Sequence, residues 1–490
     1  MLDLEAGDGI RLSGLDAGAP GGFASGEPLS VALLAPSSPD TMIGIVGAGI
    51  SGLSLGVFLE ARGVEHEILE ASDRTGGVIW SSLHDGRVLD HGPQRTRVTP
   101  PVAEMIRILG LGDRMVQVPP DIPLFVYRRG KLRQVPFRPG DLLRTDLLTA
   151  RGKLRLLLEP FTGPYLRGET VGDFLTRKFG REAYEGVMGP LFGGLYGSDP
   201  GEMYVRHSLA ETMGSFGVSK SIMGGFLLGR FNRTATPAAT SFVDGMQEFT
   251  DAMEARVRSR LHLGTGSVGL RPEESAPAAA TAAAGDVTGA AGAGWIVTTE
   301  GGEERRYDQV VLTIPAEPAA GLLEAVAPEA AARLRHLRYN RLAMVHMVGD
   351  DCGLHGLGYQ VGYGEGLRTR GVTWNASALG RPGVYTAFLG GARDPAMLER
   401  TDEEIGEAAR TEFEAVTGCR TRVVAVTRTR VPSWDRTWEA LEGLELPAGL
   451  HLCTNYESRV GIPGRLARAR GLAATLAASA GAGAAAGASS

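Results

Sequence analysis

Met42-Ile43-Gly44-Ile45-Val46-Gly47-Ala48-Gly49-Ile50-Ser51-Gly52 is the stretch from which the rest of the chain can be read. A short apolar run ends in G-x-G-x-x-G, with Ala48, Ile50 and Ser51 between the glycines, where a helix should open. In such a turn the first glycine permits the bend, the second lets a pyrophosphate approach the backbone, and the third lets helix and strand pack closely. Leu53, Leu55, Val57, Phe58 and Leu59 continue as a helix, with a stop expected at Gly63. Glu67-Ile68-Leu69-Glu70 reads as the second strand. Glu70 stands 18 residues after Gly52, where a carboxylate reaches ribose hydroxyls. Strand, turn, helix, strand and acid together predict a dinucleotide site.

Beyond the acid, Glu70-Ala71-Ser72-Asp73-Arg74-Thr75-Gly76-Gly77-Val78 continues into a cation and a glycine pair. Paired glycines allow close backbone approach, and Arg74 can lie beside a pyrophosphate. The block resembles the flavoprotein superfamily of amine oxidases, phytoene desaturases and protoporphyrinogen oxidases. That resemblance implies FAD, with Ala71, Gly77 and Val78 among its contacts.

The 490 residues suffice for two or three domains. Hydrophobic content of 43% and charged content of 22% are ordinary for a globular enzyme, and a net charge of -6 gives no reason to expect nucleic acid as a partner. Cys352, Cys419 and Cys453 are scattered, which predicts buried free thiols in a reducing compartment and no disulfide framework. No zinc spacing, no His-Glu-x-x-His and no Ser/His/Asp hydrolase signature is present, so no metal is expected. No apolar run reaches the roughly 18 residues of a membrane span. Residues 1–41, rich in Gly, Ala, Pro and Ser, read as a disordered extension or a misassigned start rather than a signal peptide. Residues 272–294 read as a low-complexity insertion between two strands, and 479–490 as a solvated tail.

Two later segments look like returns of the chain to the cofactor. Leu261–Val268 and Asp308–Pro315 are strands that could complete the dinucleotide sheet, with the backbone of Val268 at the adenine edge. Leu450–Cys453, followed by Val460-Gly461-Ile462-Pro463, reads as a strand and then a helix from about Arg465. By family pattern, Val460, Gly461 and Ile462 face the flavin's pyrimidine end, where a helix N-terminus stabilises negative charge.

The middle of the chain narrows the resemblance to the protoporphyrinogen and coproporphyrinogen oxidases. Asp90-His91-Gly92-Pro93-Gln94 is similar to that family's Gly-Pro turn, which implies flavin contacts from Gly92, Pro93 and Gln94. Phe125–Pro136 matches a strand, turn and strand; Glu169–Leu175 leads into Pro190–Pro200, the most family-specific stretch. Ser241–Gln247 and Gly371–Asn375 resemble later blocks.

The resemblance implies oxidation of a porphyrinogen to a porphyrin in haem biosynthesis, with oxygen as acceptor. Hydride removal from a methylene bridge needs orientation and an apolar slot more than a side-chain base. Gly194 matches the position whose carbonyl approaches the macrocycle centre, the plainer alternative being that Gly193 and Gly194 make a turn. Trp374 is a candidate wall of the slot or a core residue. Substrate propionates call for cations, and eukaryotic relatives carry Arg where this chain has Leu124. Arg128 and Arg129 follow further along the same strand and Arg95 stands beside the Gly-Pro turn, so the carboxylate contact and the choice between protoporphyrinogen IX and coproporphyrinogen III stay open. Relatives often read Gly-Ile-Pro-Asp-Cys where this chain reads Gly461-Ile462-Pro463-Gly464-Arg465.

Residues 128–155 hold nine basic residues against Asp141 and Asp146, and 151–167 mix basic residues with Leu154, Leu156, Leu157, Leu158 and Phe161. Attachment to an anionic membrane surface and a solvated basic face are the two readings. A cytoplasmic protein, peripheral on the inner face of the cell membrane, and hand-over of porphyrin to a ferrochelatase are expected. The alternatives are a flavin amine oxidase or carotenoid desaturase-like oxidoreductase, and a non-catalytic flavin-binding protein. The expected architecture is α/β: a discontinuous Rossmann-like FAD-binding domain of the GR2 type (42–95, 236–318 and 448–478), a helical domain (96–235) and a mixed-sheet substrate domain (319–447).

Overall fold

The computed structural model of the chain describes residues 41–210, 213, 221–227, 237–273, 294–350, 352–458 and 461–487. Nearly all of the expected extension, most of the low-complexity insertion and Val460 therefore lie outside the described residues. The architecture is mixed α/β, built around a five-stranded and a seven-stranded sheet.

Ile43–Val46 is the central strand of the five-stranded sheet, flanked in parallel by His66–Leu69 and Gln309–Leu312. Leu261–His262 and Leu450–Leu452 form the edges. All five run parallel. Parallel strands need crossovers, and burial on both faces explains why Ile43, Ile45, Ile68, Val310 and Val311 are fully buried. Helix Ile50–Glu60 follows the first strand and packs on the long C-terminal helix, Ile462–Gly487, which follows the last. Both helices therefore begin at the carboxyl edge of the sheet, where ligands bind in such folds.

The seven-stranded sheet runs in the order Thr421–Pro432, Tyr339–Gly349, Val384–Gly390, Thr369–Trp374, Gly358–Val361, Phe125–Arg128, Lys131–Gln134. Side chains alternate between its faces. Val345, Met347, Val372, Trp374, Tyr385 and Ala387 join Ile405, Ala409 and Phe413 of helix Asp402–Thr417 in one core. His346, Thr373 and Thr386 lie on the opposite, polar face, as cross-strand neighbours in one row.

Several expectations need correction. The strand, turn and strand expected at Phe125–Pro136 form the hairpin Phe125–Gln134, but it extends the seven-stranded sheet through Phe125–Tyr127 beside Tyr359–Val361 instead of standing within a helical unit. Leu261–Val268 is not one strand either. His262 ends the strand in the dinucleotide sheet, and Val268 belongs to Ser267–Pro272 in a separate three-stranded antiparallel sheet. The C-terminal helix opens at Ile462 rather than Arg465, with Pro463 suited to a first turn. It continues through Gly487, because alanine has the highest helix propensity of any residue. Cys352 and Cys419 are disulfide-bonded rather than free, and Cys352 is exposed. They flank the same end of an antiparallel pair, Gly349 opposite Thr421, a proximity that cysteine counting cannot reveal. Cys453 is the free, buried thiol.

Candidate active site

The glycine turn is built as its spacing requires. Gly47 has φ +105°, and a Cβ at Gly52 would lie 1.9 Å from the Gly47 carbonyl oxygen, so neither position accepts a side chain. A Cβ at Gly49 would meet nothing within 4 Å, so open space lies in front of the middle glycine. Helix Ile50–Glu60 starts with no side-chain cap and no acid in its first turn, while Ile50, Ser51 and Gly52 are buried. Its first amides are thus left for an anion. Ala48 is buried, and its amide donates to Glu70 Oε2 at 2.7 Å. Glu70 Oε1 accepts from the Ser72 amide at 3.0 Å and the Ser72 hydroxyl at 2.7 Å. An ionised carboxylate offers about four acceptor sites, so capacity for ribose hydroxyls remains.

The next two predicted segments close around this cradle. Gly76 bridges Gly49, and its amide donates to the Ala48 carbonyl at 2.9 Å. Gly77 has φ +59°, and its Cβ would lie 3.4 Å from Gly49 Cα. Arg74 is turned onto its own loop, donating to the Gly77 carbonyl at 2.7 Å and that of Thr75 at 3.1 Å. Ala71 and Val78 are exposed. The Val78 carbonyl lies 2.1 Å from where a Gly92 Cβ would be, which brings the Gly92-Pro93 turn against the glycine pair. Val268 is 57% exposed in its separate sheet, and Gly461 (φ +86°) and buried Ile462 stand where the C-terminal helix begins.

Gln94 ties the turn to the polar face of the seven-stranded sheet. Its Nε2 donates to Thr386 Oγ1 at 2.8 Å, and its Oε1 accepts from Thr373 Oγ1 at 2.7 Å. Thr386 Oγ1 also accepts from Asn375 Nδ2 at 3.2 Å, leaving its proton for His346 Nδ1 at 3.5 Å. His346 Nε2 then donates to Thr427 Oγ1 at 3.4 Å, Thr427 to His91 Nδ1 at 2.6 Å, and His91 Nε2 to Ser82 Oγ at 2.7 Å. The donor inventory thereby assigns both imidazoles as neutral. Burial, then the neighbouring His91, pushes His346 down to about 3; burial lowers His91 against the opposing pull of Asp90. His91 stacks on Trp80 with ring centroids 3.6 Å apart. Beneath it, Asp90 Oδ2 meets Arg381 Nη1 at 2.5 Å, both side chains buried.

Gly193 and Gly194 do not form a turn: they lie in helix Gly189–Tyr196, which ends at left-handed Gly197. Gly194 falls in its last turn, where carbonyls lack intrahelical donors. A Cβ at Gly194 would lie 2.4 Å from Gln360 Oε1, and one at Gly371 2.7 Å from Gln360 Nε2. The Gln360 carboxamide is therefore wedged between two glycines. Trp374 is corrected to a core residue. It is 2% exposed, packs against Phe125 and Tyr359, and points to the face opposite its neighbour Thr373, because strand side chains alternate. Sequence reasoning missed Gln360, Thr373, Thr386, His346 and Thr427; their one visible signal was a polar residue at alternate positions of otherwise apolar strands.

The residues present fit a flavin dinucleotide: an uncapped buried helix start, open space before Gly49 and an acid at the end of the second strand. Among the described residues no cluster of metal-ligating side chains occurs, and no helix is long and apolar enough to cross a membrane.

The chain is 28% identical to the chloroplastic protoporphyrinogen oxidase of Nicotiana tabacum, over 74% of this chain and 70% of the relative. It is also 28% identical to the coproporphyrinogen III oxidase of Staphylococcus aureus, over 44% of this chain and 52% of the relative. A crystal structure from Exiguobacterium sp. 255-15, provisionally assigned as a protoporphyrinogen oxidase, superposes with a TM-score of 0.70 at 22% identity, covering 90% of this chain and 99% of that one. The family model for flavin-containing amine oxidoreductases matches residues 50–440. With that span and this cradle, the chain belongs to the flavin-containing amine oxidoreductases and is an FAD-dependent oxidoreductase.

Proposed function

We propose that this protein oxidises a porphyrinogen, protoporphyrinogen IX or coproporphyrinogen III, to the porphyrin in haem biosynthesis, with oxygen as acceptor. The observation that carries the reading is the seat of Gly194 in a terminal helical turn, pressed on Gln360 across from the polar sheet face. There its carbonyl is an acceptor for pyrrole N–H groups, and the Gln360 carboxamide is fixed beside it. The protoporphyrinogen and coproporphyrinogen oxidases among the relatives support the same substrate class.

FAD, when bound, supplies the hydride acceptor and passes the electrons to oxygen. The chain's own residues would hold and orient. Gly47, Gly49, Gly52 and the amides of the first helix would hold the pyrophosphate, Glu70 the ribose, and Arg74 would add charge nearby. Gly92, Pro93 and Gln94 would back the ring. The sheet gives its position rigidity, since Gln94 is held at both ends of its amide. With both histidines neutral, neither imidazole sets a positive charge against removal of a hydride. Trp374, being core, is not part of the slot.

Two partners belong to the proposal. Leu154, Leu157, Leu158 and Phe161 are 60%, 59%, 50% and 86% exposed, beside Arg151 and Lys153 on and after helix Ala150–Leu157. Such a surface suits peripheral attachment to anionic lipid on the cytoplasmic side. A ferrochelatase is the proposed recipient of the product. The test is oxygen uptake by FAD-loaded protein with each porphyrinogen: three oxygen molecules consumed per porphyrin formed is expected, and uptake with amines alone would overturn the reading.

A further inference from the structure

We propose that Arg95 is the residue that receives a carboxylate of the substrate; the assignment rests on the porphyrinogen reading. Arg95 follows Gln94 directly, on the loop that leads from the Gly-Pro turn into strand Thr96–Arg97. Its neighbour's carboxamide is fixed on the polar sheet face, so the backbone at Arg95 is anchored beside that face.

Arg95 Nη1 is sealed from solvent and has no hydrogen-bond partner among the described residues. Among the described residues no carboxylate offsets its charge. The charged group that acts on it is Arg97, which, after burial, adds to the lowering of its pKa. A guanidinium stays ionised even so, and a half-buried charge with one nitrogen sealed and no counter-ion opposes folding. An anion delivered with a ligand removes that penalty.

The other cations considered from sequence are engaged. Arg128 donates to the Glu182 carbonyl at 2.8 Å and Arg129 to Glu182 Oε1 at 2.9 Å. Near helix Gly189–Tyr196, Arg393 pairs with Asp199 at 3.2 Å and Arg370 with Asp394 at 3.7 Å. Leu124 packs against the apolar core and brings no charge. Of these cations Arg95 is left, and its planar fork matches a carboxylate in geometry. Both candidate porphyrinogens bear propionate side chains, which supply that group.

The test measures binding, so it does not depend on turnover. FAD-loaded wild type, Arg95→Gln and Arg95→Lys are titrated with coproporphyrin III and protoporphyrin IX and with their methyl esters, and FAD content and ligand-free unfolding are measured alongside. Wild type should bind the free acids about 10- to 100-fold more tightly than the esters, the range for a charge-assisted hydrogen bond. Arg95→Gln should erase that preference by weakening the acids alone, Arg95→Lys should restore part of it, and FAD content should not change. Ligand-free Arg95→Gln should unfold no earlier than wild type. Loss of FAD from Arg95→Gln would assign the anion to the cofactor and overturn the proposal. Equal weakening of acid and ester with earlier unfolding would make Arg95 structural. An acid preference that depends on Arg95, in protein that oxidises no porphyrinogen, would leave Arg95 standing and sink the proposed reaction.

Discussion

Gln94 and Thr386 are 292 residues apart in sequence and 2.8 Å apart in space, Nε2 donating to Oγ1. This contact joins the Gly-Pro turn, which packs on Val78 beside the glycine pair, to the sheet that offers the polar face. Thr386→Val removes an acceptor used by Gln94 and Asn375 and a donor to His346. Three buried groups lose a partner while shape is kept. We expect a loss of about 1–3 kcal/mol in stability, read as a lower urea midpoint at unchanged slope.

Gly49 and Gly52 separate fold from cofactor. Gly52→Ala drives a methyl into the Gly47 carbonyl and should lower stability with or without FAD. Gly49 has φ −70° and empty space around its Cβ, so Gly49→Ala should leave the ligand-free protein intact. The methyl would occupy the phosphate approach and weaken FAD binding at least tenfold, a cost of about 1.4 kcal/mol. Flavin fluorescence titration and thermal unfolding of both variants check the contrast.

The buried histidine pair predicts an acid limb. His346 falls to about 3 in the fold against an ordinary value near 6.5. Below pH 6.5 the unfolded chain binds a proton that the native state refuses, so stability drops as pH falls, until native His346 also protonates near pH 3. The slope is about 1.4 kcal/mol per pH unit for this group, and His91 acts in the same direction. His346→Gln should flatten the fall in unfolding midpoint between pH 6 and 4; an unchanged slope would remove His346 as its source.

The basic, apolar helix surface gives a membrane prediction. Wild-type protein should sediment with vesicles containing anionic lipid and not with neutral ones, less so as salt rises. Replacing Leu154, Leu157 and Phe161 by Ser should abolish sedimentation and leave FAD content unchanged. No sedimentation at low salt would mean a solvated basic face.

The strand, glycine turn, helix and second strand were legible because their signals are local: glycine spacing, an apolar run before it and an acid after the next strand, all within Met42–Gly77. The opposite wall was not, because its residues meet only through the sheet. His346, Thr373 and Thr386 form one row from three strands, and nothing near any of them in sequence marks it. Trp374 shows the same limit. Its type suggested a slot wall, but strand parity, not residue type, decides the face, and Thr373 took the polar side. The cysteine pair likewise depends on which strand ends meet, Gly349 and Thr421, and not on cysteine count.

The most direct test is anaerobic mixing of the FAD-loaded protein with protoporphyrinogen IX and, separately, coproporphyrinogen III while flavin absorbance is followed. We predict bleaching of the flavin band in single turnover with one or both, and recovery of the band with porphyrin formation on admitting oxygen. A flavin band that stays oxidised beside both tetrapyrroles would contradict the account.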